Sequence, residues 1–326
     1  MSDIVANATG NITSSNPKLQ RTIARFKAKV AAGDFYEAHQ TLRTLINRAT
    51  KSHQLGHAVD LIYYGSLILV EHSQYASASD LILLLFDILG KDSEEAEKLE
   101  TSEITNKLIT ILSKFPANEV SLKKLSAETI NWSASNTEYK FGDPKIHDLI
   151  GDKYLHNPTP ENLTENYVVA MNHLILGTKA SFDNVAELVW SWYCDATDSV
   201  AGAQVLGIPA VNYAILKNID AAKKFIDVLA DKLQASSAVK ELSVDEFCKI
   251  RYFEAPELGF LNFIQLAILC IQTGNKDFFV KLKNEYRSVL VGDYKPAVDK
   301  LGSVYFNIQA PKQVNFLQEM MSGFLK

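Results

Sequence analysis

Cysteine is scarce and scattered: Cys194, Cys248 and Cys270 are the three in 326 residues. An odd number at wide spacing excludes a disulfide framework, so the sequence predicts a reducing compartment, the cytosol, with each thiol buried and structural. Long apolar runs are also missing. The longest, residues 81–86 and 260–271, fall short of the roughly 18–20 residues a membrane span needs, and no direct membrane insertion is expected. The opening stretch, MSDIVANATGNITSSNP, has neither a basic start nor an apolar centre. It predicts a disordered tail over 1–16 and no leader.

The motifs of common chemistry are absent as well. Neither G-x-G-x-x-G nor G-x-x-x-x-G-K-[ST] occurs, and GAQVLG at 202–207 lacks the lysine that would reach a phosphate. No G-x-S-x-G elbow occurs either, and the cysteines have no activating signature. In HQLGH, His53 and His57 have the spacing of a zinc-protease pair, but Gln54 stands where the general-base glutamate belongs and no third ligand is evident. The sequence therefore predicts no catalytic residues, no metal and no cofactor. Trp132, Trp190 and Trp192 lie in helical patterns and are expected in the core.

What the chain does have is charge asymmetry. Between residues 17 and 51, Lys18, Arg21, Arg25, Lys27, Lys29, Arg43, Arg48 and Lys51 face only Asp34 and Glu37, a local balance of +6 in a chain of net charge -5. The rest therefore carries -11. Clustered charge of one sign steers encounter and sets orientation, so this stretch reads as a docking face for an acidic partner. Nucleic acid is the weaker reading, because the whole is acidic and Phe26, Phe35 and Tyr36 are taken up in packing between helices.

Hydrophobic periodicity is helical almost throughout. Leu19, Ile23, Phe26 and Val30 mark one helix face, and Phe35, Ala38, Leu42, Leu45 and Ala49 mark another after the break at Gly33-Asp34. Arg21, Arg25 and Lys29, four apart, line a stripe off the apolar face. Further helices are expected around 58–69, 81–88, 104–115, 122–134, 146–154, 160–176, 182–193, 200–215, 219–233, 260–271, 276–289, 294–306 and 312–324. Short turns and the lack of a βαβ rhythm predict an all-α, tetratricopeptide-like α-solenoid of antiparallel helix pairs. Strict repeats are absent, although AGDFYEAHQTLRTL and TGNKDFFVKLKNEY begin alike. One segment departs: KELSVDEFCKIRYF alternates Cys248, Ile250 and Tyr252 against Lys249 and Arg251, and predicts a small β-hairpin over 240–253. A lone hairpin is marginal in water, so its apolar side is a second candidate interface.

Several strings in order, RFKAKVAAGDFYEAHQTLRTLINRATKS, HAVDLIYYGSLIL, SASDLILLLFDIL, GDPKIHDLIGDKY, LGFLNFIQLAILCIQ and VYFNIQAPKQ, resemble the fourth Golgi-to-ER-traffic protein family over about 17–326. That family is the cytosolic scaffold of tail-anchored protein targeting. The resemblance implies a non-catalytic adaptor in two halves. Residues 17–155 would dock on the homodimeric tail-anchored-protein targeting ATPase. Residues 156–326 would hold a ubiquitin-like-domain protein, which in turn recruits a tetratricopeptide co-chaperone; in animals a BAG-domain protein joins. The implied ATPase-facing residues are Arg21, Arg25 and Lys29, with Lys51 and the remaining hairpin cations Lys18, Arg43 and Arg48. An acidic pair that controls the ATPase cycle falls on Asp80 and Asp87. The ubiquitin-like partner would meet Leu242, Val244, Phe247, Ile250 and Tyr252. The alternative is a helical-repeat scaffold of another cytosolic complex.

Overall fold

In a computed structural model of the chain the described residues are 24–26, 28–91, 96–157, 163–234, 239–243 and 249–309. They divide into two compact units, Met1–Leu163 and Thr164–Lys326. The predicted boundary was 155/156. Within each unit the described residues are helical, apart from one two-stranded antiparallel sheet. The predicted helix at 312–324 lies outside the described residues.

The first unit holds α1 (Phe35–Lys51), α2 (Leu55–Glu71), α3 (Tyr75–Lys91), α4 (Thr101–Ser113), α5 (Val120–Asn136) and α6 (Pro144–His156), with residues 28–31 helical ahead of α1. Its central helix is α2, which packs against α1, α3 and α4 and is buried on several sides, from Leu55 through Val70. A helix apolar around most of its circumference belongs in the middle of a stack. Close approach there depends on Gly65, where an added Cβ would lie 1.9 Å from Leu42 Cδ2 and 3.3 Å from Leu81 Cδ1. The carboxyl end of α4 is capped from α6, whose Lys153 ammonium donates to the carbonyls of Ser113 (2.9 Å) and Phe115 (2.6 Å). A cation suits a helix carboxyl end, where carbonyls are left without intrahelical partners.

The second unit holds α7 (Leu163–Leu176), which begins at the division, then α8 (Phe182–Asp195), α9 (Ser199–Leu206), α10 (Ile208–Ile215), α11 (Ile219–Leu233), β1 (Val239–Ser243), β2 (Lys249–Phe253), α12 (Gly259–Thr273), α13 (Lys276–Glu285) and α14 (Tyr294–Phe306). The single helix predicted over 200–215 is in fact two. Pro209, in the first turn of α10, has no N–H to continue the α9 ladder, so the chain breaks at Gly207. That break admits the stacked rings of Phe260 and Tyr294 (centroids 3.5 Å apart), and Tyr294 Oη donates to the carbonyl of Gln204. An added Cβ on Gly207 would sit 2.3 Å from the Phe260 ring. The helix predicted over 276–289 stops at Glu285, and Tyr286 turns its ring against Phe263.

One turn recurs in both units. Gly33, His53, Ser73, Lys217 and Gly274 are all left-handed, at φ 84°, 53°, 58°, 64° and 65°. In each case that residue's N–H bonds the carbonyl three residues back, and the following N–H bonds the carbonyl five back, at 2.7–3.3 Å. This closes the preceding helix and hands its carbonyls their partners. The next residue, Asp34, Gln54, Gln74, Asn218 or Asn275, accepts the first bond of the new helix through its carbonyl. In four of the five the donor of that bond is an alanine, and Ala38, Ala58, Ala78 and Ala222 are wholly buried where neighbouring helices meet.

Residues 256–273, ending in α12, form an 18-residue apolar helical stretch of mean hydropathy 1.2, half of it buried. Phe260, Phe263, Ile264, Ala267 and Ile268 are core residues there, and its polar positions are used internally, as described below.

Candidate functional site: two docking surfaces

The cationic face begins on the helix that precedes α1. Arg25 is exposed, while Phe26 and Val30 are buried as the periodicity requires; Lys18 and Arg21 lie outside the described residues. Lys29 is not free. Its ammonium pairs with Glu37 in the first turn of α1, and that contact holds the Glu37 carboxyl below the usual carboxylate range. Matching Lys29 with Glu37 in an antiparallel pair sets Arg25 level with about Thr41, one turn farther along. Arg48 and Lys51 are exposed in the last turn of α1, where cations also complement the helix dipole. No described residue forms an ion pair with Arg25, Arg48 or Lys51.

Arg43 reaches across to α3 and pairs with Asp80, and His39, one turn earlier on α1, meets the same carboxylate through Nε2 at 2.8 Å. His39 itself is buried. The sequence reading scattered the histidines without role and placed Arg43 and Asp80 in separate functional sets. The structure brings all three into one cluster tying α1 to α3. The available signal was the four-residue spacing of His39 and Arg43. Asp87, two turns on from Asp80, pairs with Lys91 at 2.9 Å on the open surface of α3.

The hairpin supplies the second surface. Its register pairs Leu242 with Ile250 and Lys240 with Tyr252, which sets Leu242, Ile250 and Tyr252 on one face and Glu241, Arg251 and Phe253 on the other. Val244, Phe247 and Cys248 lie outside the described residues. Phe253 is buried on the face that carries Arg251, and Leu242, on the apolar side, is 43% exposed. Ile250 borders a groove of about 210 Å³ lined by Ile226, Ile268 and Leu269, with Lys223, Asp227 and Lys249 at its rim. Arg251 spans to Asp231 on α11 at 3.0 Å.

Two side-chain amides hold the hairpin to the unit. Asn262 accepts from the Phe253 N–H and donates to the Phe253 carbonyl, both at 2.9 Å. Gln265, one turn on, does the same at Arg251, at 2.9 and 2.8 Å. Together they act as a substitute strand along the outer edge of β2, which answers the demand that buried backbone groups be paired. Sequence reasoning passed over them. Their signal was two amides three residues apart in an otherwise apolar helix.

The remaining candidates divide. His53 lies in the left-handed turn before α2, and His57 lies inside α2, so the two imidazoles do not share a helix face. No group of three metal-ligating side chains occurs among the described residues. Cys270 is buried, which pushes its thiol pKa up, but Cys194 is exposed, contrary to expectation, because it sits in the last turn of α8 beyond the buried stripe. The three tryptophans are half-buried: Trp132 packs against the core of the first unit beside Phe86, while Trp192 lies against Tyr167 and Trp190 against Tyr193.

Comparison with known proteins bears on the fold and the family. The profile of the family described as Golgi to ER traffic protein 4 matches residues 52–325. Golgi to ER traffic protein 4 of Aspergillus fumigatus is 31% identical, over 94% of this chain and 90% of its own length. That of Schizosaccharomyces pombe is 28% identical over 89% and 90%, and the human homolog 24% over 94% and 86%. The crystal structure of C. therm. Get4 superposes with a TM-score of 0.70 at 27% identity, covering 100% of this chain and 95% of that one. By fold and by sequence, the chain belongs to the Golgi to ER traffic protein 4 family.

Proposed function

We propose that this protein is a non-catalytic cytosolic adaptor for tail-anchored protein targeting. Its first unit captures the homodimeric targeting ATPase, and its second holds a ubiquitin-like-domain protein that brings a tetratricopeptide co-chaperone. The client thereby passes to the ATPase for insertion into the ER membrane. The observation that supports this reading best is the chemical difference between the two surfaces: exposed Arg25, Arg48 and Lys51 beside an ion-pair cluster, against the apolar seam of Leu242 and Ile250. Exposed charge pairs contribute less than about 1 kcal/mol each and are screened by salt, which suits reversible capture. Apolar burial is insensitive to salt and suits a lasting complex.

The Arg43–Asp80–His39 cluster adds a step. A lysine of the ATPase that reaches Asp80 displaces Arg43, whose guanidinium then meets a carboxylate of the same partner, so docking and control exchange one ion pair for two. Asp80→Asn should keep ATPase capture and lose control of the ATPase cycle.

Pull-down of the purified partners across a salt series tests the division. The ATPase should elute as salt rises, and Arg25→Glu with Arg48→Glu should abolish its capture at an unchanged thermal melt. The ubiquitin-like protein should stay bound through the same series. Equal salt sensitivity of the two partners would contradict the reading.

A further inference from the structure

The left-handed turn at Lys217 does more than start α11. The Asn218 N–H bonds the Tyr213 carbonyl at 2.8 Å, which ties the first turn of α11 to the last turn of α10. The end of α7 and the start of α8 complete a cavity of about 360 Å³ there, which shares no lining residue with the groove beside Ile250. Leu174, Ile175 and Phe182 give it an apolar wall, and Tyr213, Asn218, Lys179 and Lys224 bring hydrogen-bond donors to it.

Tyr213 carries a group that the fold does not satisfy. It is 5% exposed and packs against the rings of Phe182 and Phe225, yet no described residue bonds its hydroxyl. Burial pushes its pKa up with no hydrogen bond to offset the cost, so at neutral pH the group is an O–H donor. The hydroxyls of Ser66, Thr105 and Ser126 also lack partners but are sealed off in protein; that of Tyr213 is not, and it meets the cavity. A buried donor is served by whatever the cavity holds.

The other donors are open as well. Asn218 Oδ1 accepts from the Ala221 N–H at 3.1 Å, which leaves the amide N–H groups to donate. Neither Lys179 nor Lys224 has an ion-pair partner among the described residues. Asp220 stands one turn before Lys224, but the ammonium lies instead over the Phe182 ring, 4.2 Å from its centroid. Two ammonium groups against the one carboxylate of Asp220 leave a single positive charge at the cavity, and the amino end of α11 adds to it.

We propose that this cavity binds a small organic monocarboxylate, its anion meeting Lys179, Lys224 and the Tyr213 hydroxyl and its apolar body lying on Leu174, Ile175 and Phe182. One carboxylate balances the charge, whereas a dianionic phosphate would exceed it. The volume calls for the body: a carboxylate alone fills a small part of 360 Å³, and cavities of this size take organic ligands. Neither docking surface takes part.

Titration of the full chain with benzoate, followed by methyl NMR, tests it, with benzamide as the uncharged counterpart. Benzoate should shift the methyl signals of Leu174, Ile175 and Ala221, and benzamide should not. Tyr213→Phe and Lys179→Ala/Lys224→Ala should each weaken benzoate about tenfold or more, since hydrogen bonds to an ionised group are the strong ones. Tyr213→Phe should melt at the wild-type temperature or above, because the hydroxyl it removes has no partner in the fold. Benzoate that shifts no signal at this cavity would overturn the proposal, as would benzamide binding as well as benzoate. So would benzoate binding unmoved by either variant, or a lower melt for Tyr213→Phe, which would put the hydroxyl in a bond within the protein.

Discussion

In the Met1–Leu163 unit the left-handed turns fall at Gly33, His53 and Ser73, twenty residues apart, and the helices between and after them are each 17 residues long. In the Thr164–Lys326 unit the same turn occurs at Lys217 and Gly274, but a helix broken at Gly207 precedes the first and a hairpin lies between the two. Regular spacing packs each helix against the next and leaves charged side chains outside, where Lys29–Glu37, Arg43–Asp80 and Lys107–Asp60 join one helix to another. Interruption leaves helices of eight residues and a strand edge, and the space around them becomes grooves. The two kinds of surface follow from whether the repeat is kept.

That contrast can be broken at its packing points. Gly207→Ala forces a methyl into the Phe260–Tyr294 stack, two rigid rings, and should destabilise by about 3 kcal/mol, while Gly65→Ala, against a buried Leu42, should cost about 2 kcal/mol. Hydrogen exchange should place the first loss in the second unit and the second in the first. If both variants loosen the whole chain equally, the units are not separate in stability.

The hairpin attachment comes next. Asn262→Ala leaves two buried backbone groups of Phe253 without their partner and should cost about 2 kcal/mol, with exchange rising first in β1 and β2. Gln265→Ala, at the half-buried Arg251, should cost less. An unchanged hairpin in the Asn262 variant would show that packing of Phe253 alone holds it.

A pH series separates the units by another route. Burial lowers the pKa of His147 below its ordinary 6.5, although its Nε2–H donates to the Phe141 carbonyl. Because the folded value is the lower one, stability is complete above the unfolded value and is lost as pH falls through the folded value. Melting of the first unit should therefore decline as pH falls below about 6.5, and His147→Gln should flatten the decline. Carboxylates such as Glu37, with pKa lowered from 4.5, act only at more acid pH.

The smallest expected change is a gain. His53, Ser73 and Lys217 hold left-handed backbone that glycine adopts without a Cβ penalty, so Ser73→Gly and Lys217→Gly should each stabilise by about 0.5–1 kcal/mol. Gly33→Ala should do the reverse, although nothing lies within 4 Å of its Cβ position. A thermal melt for each variant decides, and opposite signs are the requirement.

Much of the fold was legible. The helix at Ile219–Leu233 and that at Tyr294–Phe306 have the bounds their periodicity predicts, and the strings AGDFYEAH and TGNKDFFV, noticed as alike, are two of the five recurring turns. The turns at His53 and Ser73 escaped because histidine and serine are poor signals for a left-handed residue; the recurring parts were the following polar residue and, in four of the five, the buried alanine. The hairpin strands were legible from alternation, but which face is buried was not, since Phe253 and Arg251 share a face and the amides that anchor them come from another helix.

Sequence by itself determined the helices, their turns, the hairpin and the concentration of positive charge between residues 17 and 51, because each is a local matter of side-chain spacing and backbone preference. Tertiary structure alone decided which of those charges stay available. Lys29 and Arg43 are joined to Glu37 and Asp80, and Arg25, Arg48 and Lys51 face water. The physical reason is range: an ion pair forms wherever packing brings opposite charges within about 4 Å, and the partners of Arg43 lie on a helix two elements away.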